Sequence, residues 1–231
     1  PERMDRGALI MKVDRKETLR YLGCRGQEID SQTERLLNEV AEELERDSAP
    51  KSVYQEFPCK TEGDEVLIGG YRIKSANLAK NLEGCGYAVL LAATIGRAAD
   101  FMVKKYSITN MAKAAITQAA GAAYIETYVD EVQASIQKEA AKRGLSLRPR
   151  FSPGYGDFAL ECQRELCAML SCSTRIGLTL TEGNLMMPTK SVTALIGLAA
   201  KERESCQMGT CSQCGKIDCE FRTEESRGQT A

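Results

Sequence analysis

The 231-residue chain contains no histidine and no tryptophan. Mechanisms built on an imidazole base are therefore excluded, and so is any metal site with a histidine ligand. Neither sign of charge prevails: 31 Lys plus Arg stand against 32 Asp plus Glu. A net charge of −1 offers no general attraction to nucleic acid phosphates or anionic lipid, so neither is an expected partner. Long apolar runs are missing too. The longest, Tyr87 to Ile95, is too short to cross a bilayer, and the N-terminal PERMDRGALI has no signal-peptide core. A cytoplasmic location is the expectation.

Cysteine, by contrast, is plentiful, with ten residues. Without an export signal these argue against a disulfide framework, because the cytosol keeps thiols reduced. Cys24, Cys59, Cys85, Cys162, Cys167 and Cys172 are scattered among apolar residues, whereas Cys206, Cys211, Cys214 and Cys219 crowd into the tail. Four thiols in fourteen residues can surround a zinc ion or an iron–sulfur cluster. The alternative is a set of free or redox-active thiols.

With 43% hydrophobic residues the chain can bury a core. Ser31-Gln-Thr-Glu34 has the form of a capping box, and Leu36, Leu37, Val40, Ala41 and Leu44 follow at helical spacing. A shorter helix is expected over 14–22. Between Val53 and Ile73, VYQEF, EVLIGG and YRI read as strands, after which Ser75 caps a short helix. YAVLLAATI, apolar on both faces, reads as a central strand. A single long, alanine-rich helix is expected over 109–143, kinked at Gly121. Then come a strand over 145–152, a helix over 158–170, the alternating RIGLTLT as a strand, and SVTALIGLA as a last strand. Intermixed elements without regular strand–helix alternation favour α+β. One domain over 1–200 and a cysteine-rich tail over 201–231 are expected.

Three stretches could carry chemistry besides the tail. In Arg148-Pro-Arg-Phe-Ser-Pro-Gly-Tyr-Gly-Asp157, prolines stiffen a turn whose glycines reach dihedrals closed to other residues. Such a loop presents Arg150 as a planar fork for a carboxylate and Tyr155 as a ring face, or else simply joins strand to helix. Glu182 lies beside Gly183 within Leu180-Thr-Glu-Gly-Asn-Leu-Met-Met-Pro-Thr-Lys-Ser-Val-Thr193. Glu126 and Asp130 are one helical turn apart, which by itself describes two solvated carboxylates.

The segments Arg150-Phe-Ser-Pro-Gly-Tyr155 and Leu180–Thr193 resemble Arg-Pro-x-Pro-Gly-Tyr and Leu-Thr-Glu-Ser…Met-x-Pro…Ser-Val-Ser. These motifs belong to the S-adenosylmethionine-dependent activation domain of vitamin B12-dependent methionine synthase. The resemblance is clearest over residues 86–200, and the shortness of the chain resembles a free-standing form of that domain. It implies a twisted antiparallel sheet flanked by helices. It also implies that S-adenosylmethionine is bound and that oxidised cob(II)alamin is remethylated on a partner's cobalamin module, with an electron donor such as flavodoxin or ferredoxin. By the same resemblance Arg150 would pair with the ligand carboxylate, and the backbone at Ser152 and Gly154 would receive its polar groups. Tyr155 would face the sulfonium or the corrin as the catalytic contact, and Glu126 and Glu182 would supply negative charge. Phe151 stands where the family has proline, and the tail is foreign to the fused domain. A metal-bearing tail would make the chain a redox or docking protein, and in the competing reading its partner is another corrinoid methyltransferase.

Overall fold

The computed structural model describes residues 11–200 apart from Arg25. Two helices, α1 (Arg15–Tyr21) and α2 (Ser31–Asp47), precede the strands β1 (Lys51–Glu62), β2 (Glu65–Ile68) and β3 (Tyr71–Lys74). Then come α3 (Ala76–Asn81), β4 (Tyr87–Thr94), α4 (Ala98–Thr109), α5 (Met111–Lys142) and β5 (Leu145–Leu147). The chain continues through α6 (Cys162–Met169), α7 (Cys172–Ile176), β6 (Thr179–Leu180), β7 (Met186–Met187) and β8 (Ser191–Ala200). The expected tail lies outside these described residues.

The fold is α+β. Its antiparallel sheet has six strands in the order β3-β2-β1-β4-β8-β5, and β6 pairs with β7 separately. The expected apolar strand occupies the middle as β4, where Ala88 through Ala93 are all buried. By its internal contacts the chain divides into two compact units. Among the described residues, the first takes 11–52, Ala93–Val132 and Ser173–Val192, and the second takes Val53–Ala92, Gln133–Cys172 and 193–200. Leu37, Val40, Leu44, Met102, Ile116 and Val129 are buried in the first; Ile68, Leu78, Leu90, Phe158, Leu166 and Ile196 are buried in the second.

Local chemistry sets most boundaries. The Asp30 carboxylate accepts the N–H groups of Gln32 at 2.8 Å and Thr33 at 2.9 Å, which makes it the cap of α2. The start thus comes one residue before the expected Ser31, and Glu34 pairs with Arg15 at 2.6 Å instead of closing a capping box. Ser75 caps α3 as expected, its hydroxyl accepting the Leu78 N–H at 3.0 Å.

The long helix expected over 109–143 is α5, whereas α4 before it was not foreseen: Asn110, extended at φ −160°, separates them and accepts the Lys113 N–H at 3.1 Å. Two expectations need correction. The helix expected over 158–170 is confined to α6, after a run of turn. RIGLTLT is not one strand: Ile176 ends α7, Gly177 turns the chain at φ +71°, and only Thr179 and Leu180 pair as β6.

Candidate functional site

In the second unit the segment after β5 continues alongside β8. Leu145 and Leu147 pair with Ala200 and Leu198, the Arg148 N–H donates to the Gly197 carbonyl at 2.8 Å, and Phe151 and Leu195 exchange two bonds of 2.9 Å. Phe151 is thereby an anchor. Phe151 pairs with β8 through its backbone and stacks its ring on buried Phe158, with centroids 6.2 Å apart and planes 17° apart.

Between the two phenylalanines the backbone closes on itself. Tyr155 N–H donates to the Ser152 carbonyl at 3.2 Å, Phe158 N–H to the Tyr155 carbonyl at 3.0 Å, and Gly154 N–H to the Phe158 carbonyl at 2.8 Å. Gly154 and Gly156 take φ +91° and +55°, in the left-handed region that costs other residues strain. Asp157 fastens the loop to α3: its carboxylate accepts from the Ser75 hydroxyl at 2.5 Å and from the N–H groups of Ala76 at 2.7 Å and Asn77 at 3.2 Å. The Ser75 hydrogen bond foremost, and the two backbone donors after it, hold the Asp157 carboxyl below the usual carboxylate range.

This held loop carries Arg150 and Tyr155. Arg150 donates through Nη1 to the Gln133 side-chain oxygen on α5 at 3.2 Å, and Tyr155 is 68% exposed. A guanidinium can fork a carboxylate, and an aromatic face attracts a cation. The second unit therefore gathers Arg150, Ser152, Gly154 and Tyr155 on one bend.

Glu126 and Glu182 belong to the first unit, on separate elements. Glu126 is half-buried on α5. Its charge helps raise the Tyr21 hydroxyl pKa, after burial and against the opposing Arg20. Glu182 is exposed in the turn between β6 and β7, closed by the Thr181 N–H donating to Leu185 at 2.9 Å and the Asn184 N–H to Thr181 at 3.1 Å. Cys206, Cys211, Cys214 and Cys219 lie outside the described residues, and among the described residues no three Cys, Asp or Glu side chains group as metal ligands.

A solved structure shares this fold. It is the crystal structure of the MetH reactivation domain bound to AdoHcy, with a TM-score of 0.56 and 15% sequence identity over 75% of this chain and 67% of that one. No family model matches the sequence, and no curated protein does. At 15% identity the likeness shows the fold alone.

Within this reactivation-domain fold the structure adds residues that sequence reasoning missed. In the first unit, Asp100 of α4 accepts the Thr189 N–H at 3.1 Å and the Thr189 hydroxyl. Next in sequence, the Lys190 stem lies over Gly121 of α5. A Cβ at Gly121 would sit 3.1 Å from Lys190 Cε and 3.3 Å from Ala99 Cβ. Burial lowers the Lys190 ammonium pKa, against the opposing charge of Asp100. The signals were Gly121 inside a helix and a lysine following Pro188, but neither names its partner. A groove of about 310 Å³ in the same unit is lined by Glu43, Asp47, Arg97, Phe101 and Lys105 and includes none of the candidate residues.

Proposed function

We propose that the chain binds S-adenosylmethionine and supports reductive remethylation of cob(II)alamin on a cobalamin-dependent methionine synthase acting in trans. The observation that carries the reading is the fastened Arg150–Tyr155 bend, found in a fold shared with a reactivation domain whose structure holds AdoHcy. In this reading the Arg150 guanidinium pairs with the methionine carboxylate of the ligand, and the bent backbone at Ser152 and Gly154 meets its other polar groups. Tyr155 offers its ring face to the sulfonium. The corrinoid of the partner supplies the methyl acceptance once one electron arrives from a flavodoxin- or ferredoxin-type donor. The contribution of this chain is to hold the methyl donor in place, because prompt methyl transfer draws an uphill reduction forward.

Calorimetric titration of S-adenosylmethionine and of S-adenosylhomocysteine into the full chain tests the reading. Wild type should bind both. Arg150→Ala should weaken binding by roughly tenfold to a hundredfold, the loss of about 1.5–3 kcal/mol expected for a hydrogen-bonded charge. Absence of binding by wild type overturns the proposal. It would leave the four tail cysteines as the basis for a metal- or cluster-bearing docking protein of another corrinoid methyltransferase.

A further inference from the structure

Two described cysteines stand apart from the candidate loop. Helix α6 ends near Met169, and only Leu170 and Ser171 separate it from Cys172, the first residue of α7. Ser171 adopts φ +53°, a left-handed conformation unusual for a residue with a Cβ, and its N–H donates to the Ala168 carbonyl at 2.9 Å. Leu170 caps α6, and a left-handed residue straight after the cap brings the next residue, Cys172, back against the helix residue three positions before the cap, Cys167. Cys167 is half-buried, whereas Cys172 is 1% exposed.

The geometry points to Cys167 and Cys172 as an oxidisable pair, with a low-molecular-weight disulfide as its oxidant and an intramolecular disulfide across the α6–α7 turn as its product. The more accessible sulfur is the one placed to attack, and the buried one is placed to resolve. The hydrogen bond from Cys172 draws the Cys167 thiol below its ordinary pKa, outweighing burial. Burial pushes Cys59 the other way, to about 11, and raises Cys85 as well. Those two are inert internal standards.

The reaction balances as two exchanges. The Cys167 thiolate attacks one sulfur of the oxidant, forming a mixed disulfide and releasing one small thiolate. Cys172 gives up its proton and attacks the Cys167 sulfur, releasing the second. Two protein thiols lose two electrons and two protons, and the oxidant is reduced to two thiols. The bond forms when the two sulfurs close to about 2.0 Å.

Oxidised glutathione is the probe. The full chain is reduced, exposed to graded oxidised glutathione, alkylated with iodoacetamide and digested with trypsin. Cleavage after Arg164 and Arg175 releases residues 165–175, which carry both thiols and no other cysteine. In wild type this peptide should lose two hydrogens and take no alkyl group, at roughly tenfold less oxidant than is needed to modify the peptides bearing Cys59 and Cys85. In Cys172→Ala, the same peptide should instead retain one glutathione on Cys167. Cys172→Ser, closer in size, gives the same readout should the alanine variant not fold. The pairing is overturned if wild-type 165–175 takes two alkyl groups where Cys59 and Cys85 react. It is equally overturned if wild type accumulates a stable mixed disulfide, or if neither Cys172 variant gains glutathione.

Discussion

Asp157 shows how much one side chain of the candidate loop contributes to its shape. The PGYGD turn is legible in the sequence, but the last residue of that turn works elsewhere, accepting three hydrogen bonds at the start of α3. Removing it in Asp157→Ala should cost about 1 kcal/mol, the usual worth of a helix cap, and lower Tm by roughly 2–4 °C. Folding lowers this carboxyl's pKa below its unfolded value of about 3.9. The stabilisation is therefore complete above that pH and drains away as pH falls through the folded value. Asp157→Asn should lose this acid-sensitive component, which stability curves below about pH 4 will show. Arg150 and Tyr155 could be singled out because their signal is local, a bend written in consecutive residues. Asp157 and Lys190 could not, because their neighbours Ser75 and Gly121 are far away in sequence.

At the scale of elements, β8 carries a demanding position. A Cβ on Gly197 would lie 2.7 Å from Cys85 Sγ, 2.8 Å from Leu82 Cδ2 and 3.0 Å from Arg148 Cγ. Three side chains crowd the space, so relief at one leaves the others. Gly197→Ala should destabilise the chain by about 1–3 kcal/mol, measured as a lowered denaturant midpoint at unchanged slope. Both β4 and β8 were legible because runs apolar on both faces mark buried strands. The helix α4 was not: Phe101 and Ile108 are exposed while Ala99, Met102 and Tyr106 are buried, so apolar residues on both sides blur the helical period. In RIGLTLT the opposite happened. Buried Ile176 and Leu178 mimic an alternating strand, although Gly177 divides the end of α7 from the short strand β6.

At the scale of the whole molecule, the proposed metal site in the tail can be separated from the proposed ligand site. Anaerobically purified full chain should carry zinc or iron at about one site per chain. The combined substitutions Cys206→Ser, Cys211→Ser, Cys214→Ser and Cys219→Ser should abolish that metal in elemental analysis while leaving S-adenosylmethionine affinity unchanged. Retention of metal by the variant would remove these thiols as its ligands. Meanwhile, each compact unit is stitched from three separate stretches of chain, with the first unit finishing only at Val192. No contiguous gene fragment encodes either unit, so deletion series cannot isolate one. During synthesis neither unit is whole until Val192 has been added, and until then the apolar runs of β4 and α5 must be shielded from other nascent chains.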